Sequence, residues 1–128
     1  MSTDSLRPEI RWAVEAARNK KAAELTLLDL AKLGAFTDAF LLCTGFSARQ
    51  VQAISNEIEE QLARRGARLA HREGYESAEW VLLDYGDFLV HIFTERARRY
   101  YDLERLWRAA PRTDFPEADE AASGAAES

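Results

Sequence analysis

The run Ala39-Phe40-Leu41-Leu42-Cys43-Thr44 is almost continuously apolar. A strand that is apolar on both faces has to be covered on both, so the sheet that holds it lies between two layers. The next residues, Ser47-Ala48-Arg49-Gln50, form a capping box of the Ser-x-x-Gln type, which satisfies two otherwise unpaired backbone donors at a helix start. Val51, Ile54, Ile58 and Leu62 then hold one helical face, and Arg64-Arg65-Gly66 supplies a basic last turn and a glycine stop. A doubly covered strand running into a capped amphipathic helix points to an α/β chain. A length of 128 residues makes it one domain.

The remaining elements follow from the same patterns. A first helix is expected from Pro8 to about Lys21, with Ile10, Ala13, Val14 and Ala17 as its stripe. Glu24 to Leu30 reads as a strand in which Leu25, Leu27 and Asp29 alternate against Thr26, Leu28 and Leu30. A short strand is expected around Arg68–His71. Glu79 to Phe93 reads as a hairpin about Asp84-Tyr85-Gly86-Asp87. A closing helix is expected from about Glu95 to Trp107, capped by Thr94. The order α-β-β-α-β-β-β-α gives a mixed β-sheet flanked by helices.

Composition excludes several classes. Hydrophobic residues at 47% and charged residues at 30% are a globular mixture, and a chain this long needs no disulfide or metal staple. The longest apolar runs fall far short of the ~20 residues of a membrane span. Met1 to Trp12 lacks the apolar core of a secretory signal, and Cys43, the single cysteine, has no partner within the chain. A soluble cytoplasmic protein is expected.

The net charge is −5, but its distribution is uneven. Residues 113–128 carry Asp114, Glu117, Asp119, Glu120 and Glu127 with no Lys or Arg, leaving 17 acids against 17 bases in residues 1–112. The acidic, Ala- and Ser-rich tail from Thr113 onward reads as disordered, so the domain is expected to span 1–112. A neutral body releases few counterions from a phosphate backbone, so direct, sequence-specific nucleic-acid binding is not expected.

Pairing the hairpin across a two-residue turn puts Asp84 opposite Asp87, Leu82 opposite Leu89 and Trp80 opposite His91. One face then carries Val81, Leu83, Phe88, Val90 and Ile92, without a polar side-chain atom, and is the core face. The other carries Trp80, Leu82, Asp84, Asp87, Leu89, His91 and Phe93. That mixture suits a polar-rimmed docking surface, and equally a face covered by a helix with its polar groups at the margin. The hairpin alone leaves both open.

Catalytic readings are thin. Asp84 and Asp87 together could hold Mg²⁺, but a third ligand and a phosphate cradle are not evident, and Asp is common in turns for its local hydrogen bonds. Gly45-Phe46-Ser47 stands where a strand turns into a helix, the place of a G-x-S-x-G nucleophile elbow, but Arg49 occupies the last position and Ser47 is accounted for as a cap. His71 and His91 are isolated, and Cys43 fits a small core hydrophobe. No metal or cofactor is implied. In the last helix Arg96, Arg98, Arg99, Arg105 and Arg108 could face RNA, but Glu95–Arg99, Arg98–Asp102 and Glu104–Arg108 are i,i+4 pairs of a self-paired, solvated helix. Tyr101, Leu103, Leu106 and Trp107 are read mostly as core, with Tyr101 or Trp107 able to reach the surface beside the hairpin.

Taken in order, Asp38-Ala39-Phe40, Cys43-Thr44-Gly45-Phe46-Ser47-Ala48-Arg49-Gln50-Val51, Glu73-Gly74, Trp80 to Phe93 and Arg98-Arg99-Tyr100-Tyr101-Asp102-Leu103-Glu104-Arg105-Leu106-Trp107 resemble the ribosomal silencing factor (Iojap) family, over about residues 8–108. The resemblance implies a nucleotidyltransferase-like α/β fold without that superfamily's chemistry. It also implies a function: binding the large ribosomal subunit through ribosomal protein fourteen, blocking the joining of the small and large subunits, and so repressing translation. Mapped onto matched positions, partner-facing groups would be Glu73, Gly74, Trp80, Leu82, Asp84, Asp87, Leu89, His91, Arg98 and Tyr101. A membrane partner is not implied, and a homodimer of the free protein stays open. The alternative from a different class is a metal-dependent nucleotidyl-transferring enzyme built on Asp84, Asp87 and the Gly45-Phe46-Ser47 turn. In such an enzyme a Gly-Ser pair would precede two acids on one strand, whereas here Phe46 separates Gly45 from Ser47 and the aspartates flank a turn.

Overall fold

Ten elements make a three-layer α/β arrangement in the computed structural model, which describes residues 7–116. Helix α1 (Pro8–Asn19) leads into strands β1 (Ala23–Asp29) and β2 (Ala39–Gly45), then helix α2 (Ala48–Arg64). Strands β3 (His71–Glu73), β4 (Trp80–Asp84) and β5 (Phe88–Thr94) follow, then the short helices α3 (Glu95–Tyr101) and α4 (Leu103–Leu106) and strand β6 (Arg112–Asp114). The sheet order is β3-β4-β5-β2-β1-β6, with β2 and β5 parallel and every other pairing antiparallel.

Every residue of β2 is buried, as its apolar run requires of a central strand. On one side of the sheet Leu25, Leu41, Cys43, Val81, Leu83, Val90 and Ile92 pack with Ala13 and Val14 of α1 and with Val51, Ile54, Ile58 and Leu62 of α2. On the other side Leu28, Phe40, Leu42, Leu89 and Phe93 pack beneath Ala97 and Ala110, with Leu103 and Trp107 half-buried against them. Each large apolar side chain buried in these layers contributes roughly 1.5–3 kcal/mol, so both layers hold the sheet in place.

Helices α2 and α3 both start at a side-chain cap. Ser47 Oγ accepts from the Gln50 amide at 3.0 Å, but the return arm of the box differs from expectation. Gln50 Oε1 accepts from the Phe46 amide, one residue earlier than the cap, and its Nε2 donates to the carbonyls of Lys20 and Lys21. One glutamine thus ties the start of α2 to the end of α1. Thr94 caps α3 by accepting from the Ala97 amide at 3.2 Å.

The structure corrects further expectations. The edge strand lies at His71–Glu73 rather than Arg68–His71, because Ala67 and Leu69 are used in packing the exit from α2 against the core. The hairpin turns at Gly86-Asp87, one residue later than expected, since Gly86 supplies the positive φ (86°) at the first loop position and Tyr85 pairs with Phe88. Leu82 therefore faces His91, Trp80 faces Phe93 and Asp84 faces Leu89. This change preserves parity, so the two faces keep the side chains assigned to them.

The closing helix breaks at Asp102, which sits in the left-handed region (φ 47°), and α4 restarts at a new angle. The expected i,i+4 ion pairs give way to longer-range ones: Arg98 pairs with Glu104 and Arg99 with Glu24. Finally, Thr113 and Asp114 are strand, paired with Leu27 and Thr26, and Phe115 is buried in the α1–α2 layer. The acidic composition of residues 113–128 concealed one aromatic anchor at its start. The rest of that tail, from Glu117, lies outside the described residues.

A candidate docking surface

Trp80 is the pivot of the polar-aromatic face. It stands half-buried at the start of β4, and its Nε1 donates to His91 Nδ1 at 3.0 Å. Its ring lies 4.5 Å from that of Tyr101 and 5.2 Å from that of Phe93, centroid to centroid. Because Nδ1 of His91 accepts, the ring proton sits on Nε2 in the neutral tautomer. His91 is buried (4% exposed) between Trp80, Phe40 and Phe93, and burial pushes its pKa down to about 3. It stays uncharged at physiological pH.

Both readings of this face hold in part. Leu89, His91 and Phe93 lie beneath the α3–α4 layer, whereas Trp80, Leu82 and Asp84 are half-buried at its margin. Leu89 and His91, expected as partner-facing groups, are therefore corrected to groups that support the surface from below. The same holds for Arg98, which is only 4% exposed. Its guanidinium donates to Glu104 Oε1 and Oε2 at 3.0 Å each, to the Glu24 carbonyl at 2.8 Å, and to the hydroxyls of Thr44 and Thr26 at 3.2 Å each. Burial raises the Glu104 carboxyl, but hydrogen bonds and charge from Arg98, with Arg112 close by, more than offset it and hold the pKa below its usual value.

The other expected residues lie at the surface. Glu73 is exposed on edge strand β3 and pairs with His71 at 3.2 Å. Gly74 takes φ 81°, and a Cβ there would run into the Trp80 carbonyl oxygen, so this loop can close on β4 only with glycine. Asp84 accepts from the Gly86 amide at 2.8 Å, which is the turn role. Asp87 is exposed and pairs with Arg7 at 2.8 Å. The fold sets Trp80 against Tyr101, with Leu82 two residues along the same face of β4, and places Asp84 and Asp87 toward the hairpin turn.

Two exposed residues were missed. Tyr100 is 79% and Leu106 72% exposed, beside Tyr101 at 48%. Helical periodicity carried through from α3 does not hold for Leu106, because the break at Asp102 resets the phase of the residues after it. An Asp between Tyr101 and Leu103 was the available signal, since Asp tolerates the left-handed region better than most residues. Tyr100, Tyr101 and Leu106 line a shallow groove of about 570 Å³ whose rim carries Arg99, Arg105 and Arg108. Phe36 and Phe46 are also exposed, but Phe36 lies in the loop beside the Gly86 turn, away from this groove.

Elsewhere the chemistry is local. Ser47 is held as a cap, and the Cys43 thiol is fully buried, with burial pushing its pKa up to about 12. Among the described residues, no group of three or more His, Cys, Asp and Glu side chains is placed to hold a metal ion. No helix among them is long and apolar enough to cross a membrane.

Comparison with known proteins agrees with this architecture. Residues 3–128 match the family model described as "Ribosomal silencing factor during starvation". A ribosomal silencing factor of Bacillus subtilis is 41% identical over 106 residues, 83% of this chain and 90% of that one. One from Halalkalibacterium halodurans is also 41% identical over 106 residues, covering 83% and 91%. A crystal structure of a protein from Chromobacterium violaceum superposes with a TM-score of 0.76 at 36% identity, covering 84% of this chain and 87% of that one. A model match spanning nearly the whole sequence, relatives at this identity and a shared fold place the chain in the ribosomal silencing factor family.

Proposed function

We propose that this protein acts in the cytoplasm by binding the large ribosomal subunit through ribosomal protein fourteen, holding the small subunit off and so repressing translation. The observation that carries the reading is the cluster of exposed Tyr100, Tyr101 and Leu106 against half-buried Trp80. Aromatic and aliphatic groups left open beside arginines have the composition of a protein-binding centre with a polar rim. The names of the relatives supply the ribosome, and the equal numbers of acids and bases in residues 1–112 favour a protein contact over a phosphate backbone.

No catalytic step is part of this reading. Asp84 is engaged with the Gly86 amide, Ser47 with the Gln50 amide and Asp87 with Arg7, so the groups an enzyme would need are committed to local structure. Sedimentation of the protein with purified ribosomal subunits, followed by crosslinking from positions around Tyr101, tests the proposal. Crosslinks to ribosomal protein fourteen in the large-subunit fraction support it. Crosslinks confined to another component, or sedimentation with the small subunit, refute it.

A further inference from the structure

Tyr100 and Tyr101 line two hollows at once. One is the groove of about 570 Å³ walled by Arg99, Arg105 and Arg108, with Asp102 as the single carboxylate in its lining. The other, of about 290 Å³, has Arg96 and Glu79 in its lining. Arg99 shares its charge with Glu24 at 3.3 Å, whereas Arg96, Arg105 and Arg108 have no carboxylate within 4 Å among the described residues. The equal numbers of acids and bases in residues 1–112 thus hide a local excess of positive charge in the larger groove.

The two tyrosines differ in what they have left to offer. Tyr101 is half-exposed and lies 4.5 Å from Trp80, so it belongs to the hairpin side of the surface. Tyr100 is 79% exposed and meets only the Tyr101 ring, at 5.0 Å and 90°, which leaves most of its own ring open. An open aromatic ring beside guanidinium groups is the arrangement that holds single-stranded nucleic acid: a base stacks on the ring and the cations follow the backbone. Arginine suits that task because its planar fork meets phosphate oxygens with paired hydrogen bonds. An acidic peptide would satisfy the arginines and leave Tyr100 without a flat partner. The combination of charge and ring therefore favours RNA.

We propose that the arginine-walled groove takes an unpaired stretch of ribosomal RNA on the large subunit, with a base stacked on Tyr100 and neighbouring phosphates on Arg105 and Arg108. The inference rests on the proposed docking to that subunit and divides the surface: Trp80 and Tyr101 face the ribosomal protein, and the arginine wall faces RNA. The contact tolerates sequence, since every base has a face to stack and phosphates carry no base identity. It adds a salt-sensitive component to a docking reaction whose apolar part is insensitive to salt.

The test puts p-benzoylphenylalanine in place of Tyr100 in the full chain and irradiates its complex with purified large subunits. Crosslinks to ribosomal RNA support the proposal, and crosslinks to ribosomal proteins alone overturn it. A second arm measures affinity for the subunit across a range of salt. Arg105→Gln with Arg108→Gln should lessen the slope of log affinity against log salt by about 1.4, whereas Arg105→Lys with Arg108→Lys should keep it. Tyr100→Ala should weaken binding by about tenfold, and Tyr100→Phe should not. These side chains are all exposed, so the variants should melt with the parent. An unchanged slope in the glutamine variant overturns the phosphate contact. If the parent does not bind the subunit at all, the docking reading fails, and a short fluorescent oligouridine then decides the groove. Salt-sensitive binding of that probe, lost in the glutamine variant, supports an RNA site, and no binding at low salt overturns it.

Discussion

Arg98 and Glu104 face one another across the break at Asp102, joined by two hydrogen bonds of 3.0 Å. Arg98 also donates to the Glu24 carbonyl, at a residue with φ 51° where the β1–β2 pairing loses register. One guanidinium therefore holds both irregularities that shape the groove, the bulge in β1 and the turn between α3 and α4.

Removing Arg98 leaves Glu104, partly buried, with Arg112 at 3.4 Å as its remaining counter-charge, and empties a site in which five hydrogen bonds were made. Arg98→Met is expected to destabilise the fold by about 3–5 kcal/mol in chemical denaturation. Glu104→Gln keeps the shape and two hydrogen-bonding atoms and is expected to cost less. The folded-state pKa of Glu104 is depressed, so its contribution is present above the unfolded value, near 4.3, and is lost as pH falls through the folded value. Acid titration of stability in Glu104→Gln should lack that component.

His91 gives a second pH dependence, one that begins at a higher pH. Its folded pKa is about 3 against an ordinary value of 6.5, so below pH 6.5 the unfolded chain takes up a proton that the folded one refuses. Stability is expected to fall by roughly 1.4 kcal/mol per pH unit between those values. His91→Phe should flatten this slope, at some cost from the Trp80 Nε1 proton left without its acceptor. An unchanged slope would show that His91 titrates freely in the folded protein.

Much of this was legible in the sequence. The double coverage of β2, the Ser47 cap and the Val51-Ile54-Ile58-Leu62 stripe are local patterns, and all appear in place. The faces of the hairpin survived a misplaced turn because side-chain direction depends only on parity. What failed were features set by distant partners. Arg98 looked like a surface residue because nothing nearby in sequence shows that Glu24, Thr26 and Thr44 converge on it. Leu106 looked like core because helical periodicity assumes an unbroken helix. Phe115 stood alone in an acidic tail, and only the pairing of β6 with β1 explains its burial.

Phe115 is accordingly expected to matter for folding. Phe115→Ala should destabilise by about 3 kcal/mol through loss of burial and the cavity left behind. Ending the chain after Arg112 should cost at least as much, because β6 loses its pairing as well. Ending it after Pro116 should leave the melting transition nearly unchanged. Equal stability of all three in denaturant titrations would show that β6 does not anchor the sheet edge.

Gly74 is expected to accept no side chain. Gly74→Ala places a Cβ against the Trp80 carbonyl at a positive φ, and should cost upwards of about 2 kcal/mol or shift the loop. Movement of Trp80 would then show as a changed fluorescence spectrum before any loss of fold.

The central claim is that the exposed edge of α3 and α4 docks on the large subunit. It is tested most directly by a subunit-joining assay with Tyr101→Asp combined with Leu106→Asp. Leu106 is largely exposed and Tyr101 half so, so the double variant should melt close to the parent, whereas Leu83→Glu, in the core, should not fold. The prediction is that purified small and large subunits stay apart with the parent protein and join freely with the folded double variant. A folded double variant that still keeps the subunits apart at parental concentrations would contradict it.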